Sequence, residues 1–285
     1  MIAPGEPRLV AVDLDGTLLD PDGQVPPRTR AAIARLRANG ARLVLASGRA
    51  PVGMRRVCGE LGLNDPQITM QGALIASPMT GSVLAAWRLE PGEARAHIAF
   101  ARRVGAVPLL CLADGFRSEV LTPEVEALFA PFEEPLPLIV RDLDPLAEEQ
   151  PIKTFLYAPP GTYERIWQAA RRAFSGRATV TSGDAHSIEL LPPGASKGEA
   201  LRTLAAHHGI PLAEVAAIGD ARNDIAMLLL AGQSAAMAHA LPEVRAAADF
   251  VVPSNREEGA LEALERFYPS LAPLAAVAGH GTRRM

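Results

Sequence analysis

Short apolar runs alternate with longer amphipathic stretches over the first part of the chain. Arg8–Asp13 and Arg42–Ala46 have the continuous apolar character of strands that are buried on both faces. The pattern predicts helices over residues 26–39 and 51–61, and a short strand or hairpin over 67–76. Short apolar strands separated by helices are typical of a parallel sheet with helices on both faces, an α/β fold.

The same alternation returns late in the chain, whereas the middle has a different texture. The late elements predicted are a helix over 196–208, a strand over 215–218, a helix over 223–230, a strand over 249–252 and a helix over 257–267. Between about residues 80 and 190, prolines are frequent and strand-like pieces lie among helices. This texture indicates an α+β module inserted into the α/β domain.

Composition narrows the range of functions. The chain has 285 residues, 48% hydrophobic and 21% charged, with a net charge of −4, which does not favour nucleic acid or an anionic membrane as the main partner. No apolar run approaches the roughly 18 residues of a membrane-spanning helix, and the N-terminus lacks the pattern of a signal peptide. Cys58 and Cys111 share no motif and are expected to be buried reduced thiols, so a cytoplasmic location is expected.

The stretch LVAVDLDGTLLD, residues 9–20, carries the first candidate chemistry. Asp13 and Asp15 follow a buried strand at positions i and i+2, so both point to its carboxyl end, where open α/β sheets bind ligands. A carboxylate there can attack phosphorus, and the second can protonate a leaving group and then deprotonate water. Gly16 lets the backbone approach a phosphate closely. Buried carboxylates also need a partner such as Mg²⁺, although Asp-Gly-Thr is a common turn as well.

Two further motifs have residue types that suit a bound phosphate. Ser47 follows the second predicted strand, and its hydroxyl can donate to a phosphate oxygen; alone, it is more often a turn or helix-capping serine. Lys197 stands in the first turn of a predicted helix, where the helix dipole disfavours a cation unless an anion lies between them. A solvated surface lysine is the simpler alternative there.

The last motif, Gly219-Asp220-Ala-Arg-Asn223-Asp224, follows another predicted strand. Asp220, Asn223 and Asp224 place oxygen ligands on one turn, and such a set suits Mg²⁺. A helix cap made by Asp220 is the alternative. Three of the four motifs thus stand at strand ends, which is where a shared site would form in an α/β fold, and Lys197 stands at the start of a helix.

The order and spacing of these motifs resemble the haloacid dehalogenase-like phosphohydrolase superfamily, whose pattern is DxDGT, a Ser or Thr, a Lys and a late GDxxND. GASKGEAL and GDARNDIAML look like its Cof-type branch, which carries a large α+β C2 cap between the second and third motifs. The resemblance covers about residues 1–80 and 185–268. It implies a Rossmann-like doubly wound core formed by residues 1–80 plus 188–285, with residues 81–187 as the inserted, substrate-selecting cap.

The resemblance also implies roles for individual residues. Asp13 would be the nucleophile and a metal ligand, Asp15 the general acid and base with its carbonyl offered to Mg²⁺, and Asp220 the second metal carboxylate. The groups that would hold the phosphoryl oxygens are Ser47, Lys197, Gly16, Gly48 and Asn223. Asp224 would orient the lysine or the groups around the metal. Possible substrate contacts are Arg49, Gln71, Gly72 and His186.

Two positions in this scheme are less regular. Gln71-Gly72-Ala73 stands where Cof-type proteins usually carry Asn-Gly-Ala, and the longer amide is expected to alter substrate orientation without abolishing catalysis. Lys153 in the middle segment could face the substrate, but a solvated surface position is the commoner arrangement for a lysine.

The sequence thus predicts a Mg²⁺-dependent phosphomonoester hydrolase that acts through an aspartyl-phosphate. Its partner would be a small phosphorylated metabolite, such as a sugar phosphate or a phosphorylated flavin or pyridoxal cofactor. A phosphomutase of the same superfamily is the nearest alternative. A non-catalytic phospholigand sensor is another, but it would not need both Asp13 and Asp15. A monomer and a homodimer both remain open.

Overall fold

The computed structural model describes residues 1–112, 114–129, 134–183 and 186–273, which form two sheets and the helices that cover them. The strands are β1 (Leu9–Asp13), β2 (Arg42–Ala46), β3 (Gln67–Thr69), β4 (Leu74–Ala76), β5 (Val83–Ala86), β6 (Val107–Leu112), β7 (Gly115–Ser118), β8 (Leu138–Ile139), β9 (Lys153–Tyr157), β10 (Thr179–Thr181), β11 (Ser187–Leu191), β12 (Val215–Gly219), β13 (Gln233–Met237) and β14 (Phe250–Val252). The α-helices are α1 (Pro27–Ala38), α2 (Arg55–Leu61), α3 (Pro91–Val104), α4 (Pro123–Phe129), α5 (Tyr163–Ala173), α6 (Lys197–His207), α7 (Ile225–Leu230), α8 (Pro242–Arg245) and α9 (Gly259–Phe267).

The first sheet is mainly parallel and has the strand order β14-β13-β12-β1-β2-β3-β4-β5. Its six strands from β14 to β3 pair in parallel, and β4 and β5 continue the sheet antiparallel to their neighbours. The α/β class predicted for the chain is confirmed.

Successive residues of β1 explain why both faces of this sheet are covered. Val10 and Val12 belong to an apolar cluster with side chains of α1, α2 and α9, whereas Leu9 and Ala11 belong to a second cluster with α6 and α7. Because side chains alternate along a strand, a strand buried on both faces must be apolar throughout, which is the pattern in the sequence.

The position of the site follows from the connections around β1. From β1 the chain moves to β2 on one side, while its parallel neighbour on the other side, β12, leads away to β13. Such a reversal opens a crevice at the carboxyl ends of the two central strands, and open α/β sheets bind ligands there. Asp13 is the last residue of β1, and Asp220 directly follows β12.

The second sheet has the order β10-β11-β9-β6-β7-β8 and is antiparallel except for the pair β7 and β8. Side chains from α3 and α5 form an apolar cluster with β9 and β11, for example Phe100 and Trp167 with Leu156 and Leu190. The sheet is built from residues of the middle of the chain, which have the α+β character predicted for that segment.

The sheets divide the chain at slightly different residues from the predicted segment 81–187. β5, which begins at Val83, pairs with β4 of the first sheet, whereas β11, which runs to Leu191, pairs with β9 of the second. Whether residues 81–187 act as a separate cap stays a prediction. The strands β7, β8, β11 and β13 were not predicted from the sequence. No helix in the described ranges is both long and apolar enough to cross a membrane.

Candidate active site

A cavity of about 360 Å³ lies between the two sheets, at the carboxyl ends of β1, β2 and β12. Nine of the residues singled out by the sequence line it: Asp13, Asp15, Gly16, Ser47, Gly48, Arg49, Gln71, Asp220 and Asn223. Four separate loops of the first sheet thus contribute to one space. The second sheet closes the space with side chains that include Phe116, Lys153, Phe155 and Glu189.

Lys197 and Asp224 lie fully buried beside the nucleophile candidate. The ammonium of Lys197 donates to Asp13 Oδ1 at 2.5 Å and to Asp224 Oδ1 at 2.7 Å. The other oxygen of Asp224 accepts the backbone N–H groups of Asp220 and Ala221, which holds the loop after β12 in place. Asp224 therefore orients Lys197 and the loop and does not line the cavity.

Lys197 begins α6, where its charge opposes the helix dipole. Ser196 caps the helix by accepting the N–H of Glu199 at 3.1 Å. The two carboxylates next to Lys197 supply the negative charge that makes a buried cation at this position tolerable. The anions are side chains of the protein, and the alternative of a solvated surface lysine is wrong.

Negative charge exceeds positive charge around Lys197. Burial and the nearby carboxylates of Asp224 and Asp220 raise the pKa of Asp13 well above its ordinary value, although Lys197 opposes the shift. Burial disfavours the charged form of Lys197, but Asp13 and Asp224 outweigh that effect and raise its pKa. Three carboxylates against one ammonium leave this cluster with a surplus of negative charge.

The surplus fits a divalent cation. Oxygens of Asp13, Asp220 and Asp224 all lie within 4.8 Å of one another. Asp13 Oδ2 is buried and has no hydrogen-bond partner, so this oxygen is suited to a metal ligand. Asp220 is held from two sides, by the hydroxyl of Thr17 at 2.8 Å and by the ring of His239 at 3.3 Å.

Asp15 lies in the cavity but its carboxylate is engaged by Arg49. Arg49 donates to it through Nε at 2.9 Å and Nη2 at 2.5 Å, and also through Nη1 to the carbonyl of Gly53 at 3.0 Å. Arg49, predicted as a possible substrate contact, therefore holds the carboxylate of Asp15 in this structure. The guanidinium is itself buried, which fixes its direction.

Gln71 joins the two sheets across the edge of the cavity. Its Oε1 accepts from Asn223 Nδ2 at 2.8 Å, and its Nε2 donates to Glu189 Oε1 at 2.6 Å. The backbone of Gln71 is left-handed (φ 60°), and its N–H donates to the carbonyl of Ser47. Both ends of the amide are thus occupied by protein groups, whereas Asn223 Oδ1 is buried without a partner.

Two glycines are required by close approach of other groups. Gly16 has φ +83°, and a Cβ there would lie 2.5 Å from Asp220 Oδ2. Gly72 has φ +88°, and a Cβ there would lie 2.2 Å from the carbonyl oxygen of Ser196. Gly72, predicted as a possible substrate contact, instead packs against the start of α6 and does not line the cavity.

Glu189 was not predicted as a site residue, and Lys153 was expected to be solvated. Both are buried and form an ion pair, and Lys153 Nζ also donates to the carbonyl of Gly48 at 2.9 Å. The expectation of a solvated Lys153 is therefore wrong. The chain has 26 arginines but only two lysines, 153 and 197, and this rarity was a usable signal. Glu189 is a lone acid in the otherwise uncharged run Ser187–Leu191, which is the same kind of signal as Asp13.

His186 is exposed and, in the described part of the chain, does not belong to the cavity lining. Ser47 is buried at the cavity wall, where its oxygen accepts the N–H of Arg49 at 3.2 Å. Cys58 and Cys111 are buried free thiols, as expected, and neither lines the cavity.

Several known proteins resemble this chain over most of its length. Residues 10–264 match the family described as haloacid dehalogenase-like hydrolase. YxeH of Bacillus subtilis (strain 168) is 31% identical over 265 residues, which cover 90% of this chain and 97% of that protein. The HMP-PP phosphatase of Cronobacter sakazakii is 32% identical over 239 residues, covering 84% and 87%. The crystal structure of a haloacid dehalogenase-like hydrolase from Bacteroides thetaiotaomicron is 26% identical, with a TM-score of 0.79 over 92% of this chain and 100% of that chain.

Proposed function

The chain belongs to the haloacid dehalogenase-like hydrolase family and is a phosphatase, and from this premise we propose that it is a Mg²⁺-dependent phosphomonoester hydrolase acting through an aspartyl-phosphate on Asp13. The observation that carries the proposal is the unpartnered, buried Oδ2 of Asp13 in a cavity that Asp15 and Asp220 also line. Residues 81–187 would act as the cap that selects a small phosphorylated metabolite.

Asp13 and Asp220, with the backbone carbonyl of Asp15, would hold Mg²⁺. When bound, the ion supplies positive charge that neutralises the phosphoryl oxygens and the attacking carboxylate. The surplus of negative charge in the cluster and the free Oδ2 of Asp13 support this assignment. Asp224, whose oxygens accept from Lys197 and two backbone N–H groups, would keep its orienting part.

The first chemical step forms a bond between a carboxylate oxygen of Asp13 and phosphorus. The phosphorus–oxygen bond to the substrate alcohol breaks, and Asp15 gives its proton to the leaving oxygen. Lys197 fixes the direction of Asp13 by its 2.5 Å hydrogen bond and adds positive charge beside the transferred group. Ser47 and the backbone at Gly16 and Gly48 line the space where the phosphoryl oxygens would lie.

The second step returns Asp13 to its free form. Asp15 takes a proton from a water molecule, whose oxygen bonds to phosphorus as the acyl-phosphate bond breaks and inorganic phosphate leaves. For both steps the carboxylate of Asp15 must exchange its contacts with Arg49 for contacts with the leaving oxygen or water. We expect that exchange to accompany substrate binding, because the carboxylate is the more exposed partner of this ion pair.

Hydrolysis of p-nitrophenyl phosphate tests the proposal. Turnover should require Mg²⁺, and Asp13→Asn should abolish it because an amide is not a nucleophile. Asp22→Asn is the matched control, since Asp22 is exposed in a turn and is not among the residues that line the cavity. Undiminished turnover in Asp13→Asn would overturn the covalent route. If a sugar bisphosphate is converted to an isomer without release of inorganic phosphate, the protein is a phosphomutase.

A further inference from the structure

We propose that the cavity is built for phosphate esters whose alcohol carries a flat aromatic or heteroaromatic ring, in preference to sugar phosphates. This inference rests on the proposed function, because the phosphate must lie at Asp13 for the rest of the substrate to reach the second sheet. It narrows the substrate class, which the catalytic residues leave open.

The first observation is a wall of rings in the same cavity as the carboxylates. Phe116 on β7, Phe129 on α4 and Phe155 on β9 line it, together with Leu128. The ring centroids of Phe116 and Phe129 are 5.1 Å apart at 83°, and those of Phe116 and Phe155 are 6.5 Å apart at 85°. A wall made of aromatic rings favours another aromatic ring against it, in an edge-to-face or offset-stacked arrangement.

The second observation is that the charged groups of the second sheet in the cavity are already engaged. Lys153 donates to Glu189 and to the carbonyl of Gly48, while Glu189 also accepts from Gln71. Glu134 accepts the N–H of Ala50 at 2.5 Å. Sugar hydroxyls would compete with these contacts for the same polar groups, whereas an apolar ring leaves the contacts in place.

Size agrees with a compact ring. Ligand cavities commonly range from about 300 to 1,000 Å³, and this one, at about 360 Å³, is near the lower limit. A phosphoryl group at Asp13 and one small ring against the phenylalanines fill much of such a space. The carboxylates of the first sheet and the rings of the second therefore divide the substrate into a charged end and an apolar end.

Three esters vary the character of the ring while keeping its size and its CH₂ link to the phosphate. Benzyl phosphate, cyclohexylmethyl phosphate and glucose 6-phosphate each attach a six-membered ring to the phosphate through one CH₂ group. We expect kcat/KM for benzyl phosphate to exceed that for glucose 6-phosphate at least about tenfold, from apolar burial and the absence of unpaired hydroxyls. The cyclohexylmethyl ester should lie between them, about threefold below benzyl phosphate, because it cannot stack.

Two matched variants test whether the ring of Phe155 causes the preference for an aromatic ester. Phe155→Leu should bring the ratio of benzyl to cyclohexylmethyl turnover towards one. Phe250→Leu is the control, because Phe250 is also a partly buried strand residue with a ring neighbour but lies in the first sheet, outside the cavity. The ratio should stay at the wild-type value in that variant.

The outcomes separate this inference from the proposed function. Phosphate release from all three esters, with glucose 6-phosphate equal to or better than benzyl phosphate, overturns the aromatic preference and leaves the phosphatase intact. An unchanged ratio in folded Phe155→Leu also overturns it. If none of the three esters nor p-nitrophenyl phosphate releases phosphate in the presence of Mg²⁺, the proposed function fails and this inference falls with it. The wild-type comparison needs no variant to fold.

Discussion

The two lysines of this chain are both buried, one in each half of the molecule, yet their surroundings differ. Lys197 contacts two carboxylates and lies near a third, and one oxygen of Asp13 is left without a partner. Lys153 forms an ion pair with one carboxylate, Glu189, and both side chains continue into hydrogen bonds with the first sheet. Counted by direct contacts, the first arrangement is unbalanced and the second is balanced, with Glu134 acting on Lys153 through space.

The difference separates a reactive centre from a structural connection. A buried cluster with surplus negative charge is unfavourable for folding unless a cation joins it, so its persistence indicates a function. A buried pair of one cation and one anion needs no further ion. Lys153 and Glu189 instead link Gly48 and Gln71, which border the cavity, to the second sheet.

The largest expected contrast is in catalysis. Lys197→Met should lower kcat on p-nitrophenyl phosphate about 10³-fold, because Asp13 loses its orienting hydrogen bond and the site loses a cation beside the phosphoryl group. Lys153→Met, the same substitution at the other buried lysine, should lower kcat about tenfold at most, because the contact of Lys153 with the loops of the first sheet is its hydrogen bond to the carbonyl of Gly48. Steady-state kinetics at saturating Mg²⁺ measure both. Equal losses in the two variants would contradict the distinction between the regions.

The second contrast is in stability. Removing only one partner of a buried ion pair leaves the other charge uncompensated, so Lys153→Met should lower the free energy of unfolding by about 3 kcal/mol. The double variant Lys153→Met with Glu189→Gln should recover most of that loss, because a neutral amide at 189 can still accept from Gln71. Urea unfolding gives the comparison through the midpoint at constant slope.

The corresponding double variant at Lys197 gives the contrast in activity. Adding Asp224→Asn to Lys197→Met removes one buried charge but restores neither the orientation of Asp13 nor the cation, so activity should stay lost. Failure of Glu189→Gln to rescue Lys153→Met would show that the pair contributes through packing or shape and not through charge balance.

The sequence revealed the unbalanced region and not the balanced one, for a physical reason. Asp13 and Asp220 stand at the ends of apolar strands, and parallel strands bring their carboxyl ends together whatever the loops do. The apolar strands and the spacing of the acids after them were therefore enough to predict the cluster that surrounds Lys197. Three of the four motifs follow strands of the first sheet, whose order brings them together, and Lys197 reaches them from the start of α6.

The contacts of Lys153 depend on antiparallel pairing between strands far apart in the chain. β11 pairs with β9, and Lys153 meets Glu189 across 36 residues of sequence. The run Gln233–Met237 was missed as a strand because Gln, Ser and Ala have low strand propensity, and only its position between β12 and β14 forms it. The left-handed backbone of Gln71 is likewise set by its tertiary contacts, which residue type alone does not indicate.

The smallest expected effect is on the pH dependence of stability and concerns the second sheet and its helices. His97 on α3 is buried, its Nδ1 is 3.2 Å from the hydroxyl of Thr154, and its ring lies edge-on to Phe174. Burial, with a contribution from Arg177, lowers the pKa of His97 from 6.5 to about 3. Below pH 6.5, His97 therefore binds a proton in the unfolded chain but stays neutral in the folded chain. The stability that neutral His97 allows above pH 6.5 is lost as the pH falls. Between pH 6.5 and 5 this loss is about 2 kcal/mol.

His97→Phe removes the titratable nitrogens but keeps an apolar ring next to Phe174, so its free energy of unfolding should fall less steeply with acid than that of the wild type. Urea unfolding at several pH values between 5 and 7 measures the slope. His207→Phe is the control, since His207 is exposed on α6 and solvent surrounds it in both states. If the free energy of unfolding has the same slope against pH in His97→Phe and in the wild type, the folded protein accommodates protonated His97. A flatter slope would show that the folded protein keeps His97 neutral beside Thr154, in contrast to the charged cluster around Lys197.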